Sequence, residues 1–298
     1  MSVEGLVNVP VAIEAIARVL ARHPDFRVLR RMLPMDREET GVIRTGVLTG
    51  VCIDVETTGL DHGEDRIIEL AMQRFRADAE GRIVETGRPR AWLEDPGIEI
   101  GDDIIRLTGL KPEDLKGRGI ADGEAATILA SSDVIIAHNS RFDRPFVEAR
   151  LPACSGRPWA CSLEGMDWAE LGFEGRSLSQ LLSQMGFFYD AHRATADVTA
   201  LLHLLDHRLA SGETVLKRLL DASRRDTWLM AAVGAPFEAR ELLKRRGYRW
   251  HPTRKMWWTE VPEDRRQAEA EWATIHVYRG LQNPETARID WTKRYAAF

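Results

Sequence analysis

Asp54 and Glu56 stand two residues apart at the end of an apolar run, Val51-Cys52-Ile53-Asp54-Val55-Glu56. In a strand, residues i and i+2 face the same side, so both carboxylates point one way. Like charges gathered at the end of a buried strand call for a neutralising cation. A divalent metal ion with oxygen ligands meets that need best. Taken alone the pair fits a solvated strand end equally well. A second apolar run, Val134–Ala137, leads into His138-Asn139-Ser140-Arg141-Phe142-Asp143, and a third acid, Asp197, follows His192 at the start of an apolar helical segment. Singly, Asp143 and Asp197 read as acids of a first helical turn. A lone His192 would be a surface or packed side chain.

The elements that must position these residues are legible from hydrophobic period. Val51–Val55, Arg66–Phe75 and Arg82–Leu93 read as strands, with a hairpin signal at Glu80-Gly81. Asp133–Ala137 and Trp159–Ser162 read as two short later strands. Residues 11–22, Glu124–Ser131, Arg144–Leu151, Ser177–Met185 and Ala194–Leu209 read as helices. Strands in hairpins, then strands alternating with helices, indicate an α/β fold with a mixed sheet and helices on its faces. After about residue 223 the pattern restarts. Thr227–Val233, a short hairpin of Tyr248–Trp250 and Met256–Thr259, and helices at Phe237–Arg246 and Glu263–Ala273 suggest a small α+β module.

The segments Asp54-Val55-Glu56-Thr57-Thr58-Gly59-Leu60, His138–Phe146 and His192–Asp197 resemble the three motifs of the DnaQ-like (DEDDh) 3′–5′ exonuclease family. Ile67-Ile68-Glu69-Leu70, Ile105-Arg106-Leu107-Thr108-Gly109-Leu110 and Ser177–Leu181 resemble smaller segments of the same family. The resemblance covers roughly residues 48–210. It implies a ribonuclease H-like mixed five-stranded sheet flanked by helices. It also implies that Asp54, Glu56, Asp143 and Asp197 bind two divalent cations, Mg²⁺ or Mn²⁺, and that His192 is the general base. The chemistry agrees. Two metals about 3.5–4 Å apart can activate water and stabilise both attacking and leaving oxygens of a phosphodiester. An imidazole of pKa about 6.5 suits proton removal near neutrality. A related subclass uses tyrosine four residues before the last acid. That position is Arg193, so the histidine subclass is favoured and Tyr189 is read as a packing residue. Thr57, Thr58, Leu60, Leu107, Phe142 and His138 are the candidate substrate-binding residues, and core packing competes for each apolar one. Glu69 reads as a structural residue or one standing behind the ligands.

The chain has 298 residues, 41 basic and 46 acidic, a formal net charge of −5. That balance argues against nonspecific nucleic-acid binding by the whole surface and leaves room for a focused site. No apolar run approaches the roughly 18–20 residues of a membrane span. The first residues carry Glu4 and no basic flank, which speaks against a secretory signal. Three cysteines without metal-site spacing fit a reducing cytoplasm. Charge is uneven: residues 224–298 hold 15 basic against 10 acidic side chains, and six of the nine tryptophans. The expected division is a helical extension at 1–47, an exonuclease domain at 48–223 and a basic, Trp-rich module at 224–298. Interleaved cations and rings at 244–258 suggest a tether for single-stranded nucleic acid. In the competing view, Trp250 and Trp258 on facing hairpin strands build the module's own core.

The reading that follows is a metal-dependent 3′–5′ exonuclease acting on nucleic acid with a free 3′ end. DNA, single-stranded, is favoured, in repair or proofreading with a polymerase or repair partner and with no membrane role. An exoribonuclease trimming RNA ends or short oligonucleotides is the alternative enzyme. A non-catalytic nucleic-acid or protein-binding module is the alternative of another class.

Overall fold

The computed structural model describes residues 11–37, 47–191 and 193–296. The chain enters through α1 (Val11–Leu20) and a two-residue strand, β1 (Arg30–Arg31). The central sheet follows: β2 (Leu48–Thr57), β3 (Ile67–Ala77), β4 (Ile83–Thr86) and β5 (Arg90–Leu93). Helices α2 (Asp102–Thr108), α3 (Pro112–Leu115) and α4 (Asp122–Ala130) lead to β6 (Val134–Ala137). Then come α5 (Ser140–Arg150), β7 (Trp159–Cys161), α6 (Leu178–Gln184), β8 (Phe187–Phe188), α7 (Ala194–Asp206) and α8 (Val215–Ser223).

The sheet runs β4-β3-β2-β6-β7, with β5 also on β3. The pairs of β3 with β2, β4 and β5 are antiparallel, and β2–β6 and β6–β7 are parallel. The fold is therefore α/β with a mixed sheet. The expected third strand, Arg82–Leu93, is split. Pro89 has no N–H to give a ladder, so β4 and β5 occupy successive stretches of the same neighbour. Gly81, at φ +72°, makes the hairpin turn before β4. Gly50 is required by its neighbour: the ring of Phe75 across the ladder occupies the place of a Cβ, with Cζ at 2.2 Å.

Alternation along β2 divides the core. Val51, Ile53 and Val55 lie in the cluster with Leu129, Phe146 and Val147 of α4 and α5. Cys52 lies in the opposite cluster with Leu181, Val198, Leu201 and Leu219 of α6, α7 and α8. Asp54 and Glu56 continue the alternation of Cys52 and so turn toward the α7 side.

Within the N-terminal extension, residues 30–37 pack against the helices of the first sheet. β1 pairs in parallel with β8, Met32 and Met35 pack on the α6–α8 core, and Arg37 pairs with Asp206. The last quarter forms a second sheet, ordered β10 (Arg249–His251), β11 (Met256–Pro262), β9 (Thr227–Ala232) and β12 (Glu285–Ile289). Helices α9 (Arg240–Arg245) and α10 (Glu263–His276) contribute Leu243, Ala273 and the neighbouring Val277 to the cluster on one face, around Met230 and Ala232.

One expectation about this module changes. Trp250 pairs with Trp257, and Trp258 pairs with Arg249. Adjacent strand residues face opposite sides, so Trp257 and Trp258 cannot share a face. Trp258 is buried with Leu229 and Ile289, whereas Trp250 is 48% exposed. Arg246 pairs with Glu269, Arg249 with Glu164, Arg288 with Asp226 and Arg294 with Glu260. Trp228, Trp257, Trp258 and Trp272 pack into the module, and Trp291 packs on the α6–α8 core.

Residues 291–295 return to the first sheet. The Trp159 N–H donates to the Trp291 carbonyl at 3.0 Å, along the outer edge of β7. The buried Arg144 of α5 donates to the carbonyls of Arg294 and Thr292, both at 2.6 Å, and to Glu148 at 2.9 Å. Tyr295 is buried in the α4–α5 cluster.

Candidate active site

β2 outlasts β6: their last pair is Cys52 with Ile136, so Asp54 and Glu56 project beyond the parallel ladder. α7 crosses that face, and Asp197 stands in its first turn. One carboxylate oxygen from each of Asp54, Glu56 and Asp197 lies within 4.8 Å of the others. Asp143, in the first turn of α5 and 3% exposed, sits beside this trio. Its Oδ1 accepts from the Val55 N–H at 3.3 Å, at the edge β6 has vacated.

The electrostatics are those of crowded acids. Burial raises the Asp54 carboxyl well above its usual range, and Asp143, Asp197 and Glu56 push it further. Glu56 rises to about 7 through burial, Asp197 and Glu69, against a lowering by Arg193. Asp143 rises to about 8, mainly through burial, although the Val55 N–H favours its ionised form. Acids held this way either bind protons or share a cation. The donors are all oxygens, which suits Mg²⁺ or Mn²⁺ and lacks the thiolates and imidazoles that favour softer ions.

Behind the trio stands Glu69 on β3, opposite Glu56 in the ladder. It accepts from Arg193 and from the Ala194 N–H at the start of α7. Tyr189 is more than a packing residue. Its hydroxyl donates to Asp197 Oδ1 at 2.8 Å, and burial beside that carboxylate raises the phenol, keeping it a donor. Tyr189 lies between β8 and α7, outside either element, so no helical or strand period signalled this contact. His192 lies outside the described residues.

The candidate substrate-binding residues divide. Leu60 is 86% and Leu107 50% exposed. Phe142 packs on Phe146, ring centroids 5.0 Å apart. Thr57 donates to the Gly59 carbonyl, and Thr58 donates to Asp65 and accepts from the Arg66 N–H. These hydroxyls hold the 57–66 loop, with Leu60 at its exposed part. His138 departs from expectation. Its Nε2 donates to the Arg176 carbonyl at 2.9 Å, which makes Nδ1 the acceptor from Ser162 at 2.8 Å. Burial lowers it to about 4. With both nitrogens engaged, His138 ties two loops together and has none left for substrate.

At one strand end of the mixed sheet, then, half-buried acids gather into an all-oxygen set with the spacing to hold a cation. The exonuclease family model RNase_T matches residues 51–205, just over half of the chain. The chain belongs to that family, the DnaQ-like 3′–5′ exonucleases.

Among relatives, a DNA polymerase III subunit epsilon from Treponema pallidum is 29% identical over 166 residues, covering 53% of this chain and 74% of that subunit. A PolC-type DNA polymerase III from Thermotoga petrophila is 29% identical over 139 residues, covering 46% of this chain and 9% of the polymerase. The chain thus spans under a tenth of the polymerase's length. Among solved structures, E. coli exonuclease I in complex with a dA16 oligonucleotide superposes at TM-score 0.48 and 17% identity, covering 83% of this chain and 64% of that one. Exonuclease X in complex with 5′-overhanging duplex DNA gives TM-score 0.42 and 20% identity, covering 58% of this chain and 99% of that one.

Proposed function

We propose that this protein is a metal-dependent exonuclease that removes nucleotides from the 3′ end of DNA, single strands preferred, in proofreading or repair. The observation that carries the reading is the convergence of the half-buried Asp54, Glu56 and Asp197, with the buried Asp143 beside them, in a chain of the exonuclease family. These four carboxylates hold two divalent cations, Mg²⁺ or Mn²⁺. When bound, such ions supply Lewis acidity for the phosphodiester and lower the pKa of coordinated water. His192 takes the proton of the attacking water. Leu60 and Leu107 offer apolar surface to the terminal base, and Phe142 and Phe146 support it from α5. Thr57 and Thr58 fix the loop that presents Leu60. A polymerase partner is supported by the Treponema relative, itself named as a polymerase subunit. The three buried free cysteines support a cytoplasmic location. Among the described residues no helix is long and apolar enough to cross a membrane.

The test is cleavage of labelled DNA and RNA single strands with free or blocked 3′ ends, in Mn²⁺ and in chelator. Free-ended DNA should shorten from the 3′ end only with metal. Asp143→Asn should lose nearly all turnover while melting no lower than the parent. Full activity in that variant, or in chelator, would sink the site assignment. A preference for RNA would transfer the activity to RNA ends.

A further inference from the structure

β3 carries a carboxylate to which the metal-site reading gives no part. Glu69 is 1% exposed and lies directly opposite Glu56 in an antiparallel ladder. Like charges so placed destabilise a sheet. Glu69 also raises the carboxyls of Asp54 and Glu56. A buried carboxylate needs strong compensation, and here the bonds come from the entry of α7. Arg193 Nε and Nη2 donate to Oε2 and Oε1 at 3.3 and 3.4 Å. The Ala194 N–H donates to Oε2 at 3.3 Å. Arg193 precedes the first helical residue and is the sequence neighbour of His192. Asp197 lies in the helical turn that Ala194 begins. One buried group thus fastens the start of the helix that carries Asp197 in its first turn, next in sequence to His192.

We propose that Glu69 is a positioning residue for the nuclease reaction. Its charge fixes the entry of α7, and through it Asp197 and His192, and it binds neither metal nor substrate. The inference rests on the nuclease reading above. It has an unusual signature, because the fold itself gains nothing from a fifth negative charge beside the acids. In Glu69→Gln the amide oxygen can still accept from Ala194, and the repulsion across the ladder disappears. The ion pair to Arg193 is lost. Stability and turnover should therefore move in opposite directions.

The experiment uses the full chain with Glu69→Gln, Arg193→Met and the double variant. Turnover and KM are measured on a 3′-labelled DNA strand, melting by calorimetry, and Mn²⁺ binding by the loss of the free-ion EPR signal. Loosening a reacting group by about 1 Å costs on the order of 10²-fold, so each single variant should lose about 10–100-fold in kcat. KM and Mn²⁺ affinity should stay within about threefold, as expected when transition-state geometry rather than binding is lost. Glu69→Gln should melt no lower than the parent, and the double variant should be no slower than the slower single one. Unchanged kcat in Glu69→Gln overturns the proposal. So does a fall in Mn²⁺ affinity that matches the fall in kcat, which would make Glu69 a ligand, or losses that multiply in the double variant. Should Glu69→Gln fail to fold, the half-exposed Arg193→Met decides alone, and full turnover there overturns the idea. A parent protein without nuclease activity would instead remove the reading on which the inference stands.

Discussion

At the scale of single residues, the acids set a testable pH dependence. Asp143 rises from 3.8 to about 8 and Glu56 from 4.5 to about 7. A carboxyl raised in the fold stabilises it in the protonated form. That contribution is full below about pH 4 and is lost as pH climbs through 7 and 8. Metal-free protein should therefore melt progressively lower between about pH 5 and 8. Mn²⁺ should restore the melting temperature most at the upper end, because binding at the lower end must first displace protons. Differential scanning fluorimetry in chelator and in Mn²⁺ across that range reads both trends. A metal-induced gain equal at all pH values would contradict the shared burial of these acids. The four acids were legible because each ends a strand or opens a helix, where side-chain direction follows from local geometry. Tyr189 and His138 were not, since a hydroxyl or ring nitrogen finds its partner through loop paths that no short period encodes.

At the scale of elements, α5 shows how a helix is seated by more than its apolar stripe. Phe146 and Val147 face the sheet, while Arg144 on another side is fully buried. Its guanidinium satisfies the carbonyls of Thr292 and Arg294. Arg141, one turn earlier, holds Glu164 and lies over the rings of Trp258 and Tyr295 at 5.2 and 5.5 Å. Arg144→Met should fill the space yet leave those carbonyls without a donor, at about 1–3 kcal/mol for an unsatisfied buried group. Urea unfolding should show a loss of that size, and limited proteolysis should then release residues near 291–295. Unchanged stability with a protected C-terminal segment would mean that the carbonyls find other donors. In the sequence, Arg144 reads only as part of a helix beginning near Asp143. The residues that bury it lie some 150 positions on, in a stretch without period, so hydrophobic patterning had no means of pairing them. The strands and the helices around the site were legible because each buries a continuous face.

At the scale of the whole molecule, segments from both ends of the chain pack on the first sheet and its helices. Residues 26–37 add a parallel pair to β8, immediately before Tyr189. Residues 291–295 cover the outer edge of β7 and enter the core beneath α5. A tether would leave chemistry intact when removed and raise KM on long strands alone. The packing implies a different outcome. A chain cut after residue 223 loses the acceptors of Arg144 and the aromatic cover of Arg141. It should melt markedly lower and lose turnover on long and short strands alike. Kinetics on both lengths, read against melting temperature, separate the two cases. A stable fragment with raised KM on the long strand only would restore the tether.

The threading of residues 291–295 under α5 also orders events in time. On the ribosome, α5 is complete when residue 150 has been added, but the carbonyls that receive Arg144 come from positions 292 and 294. At roughly 5–20 residues per second, that interval is on the order of ten seconds. Until then the guanidinium has Glu148 of its own helix and lacks its two carbonyl acceptors, so the full set of bonds that seats α5, with Asp143 on its first turn, is completed only as the last residues arrive.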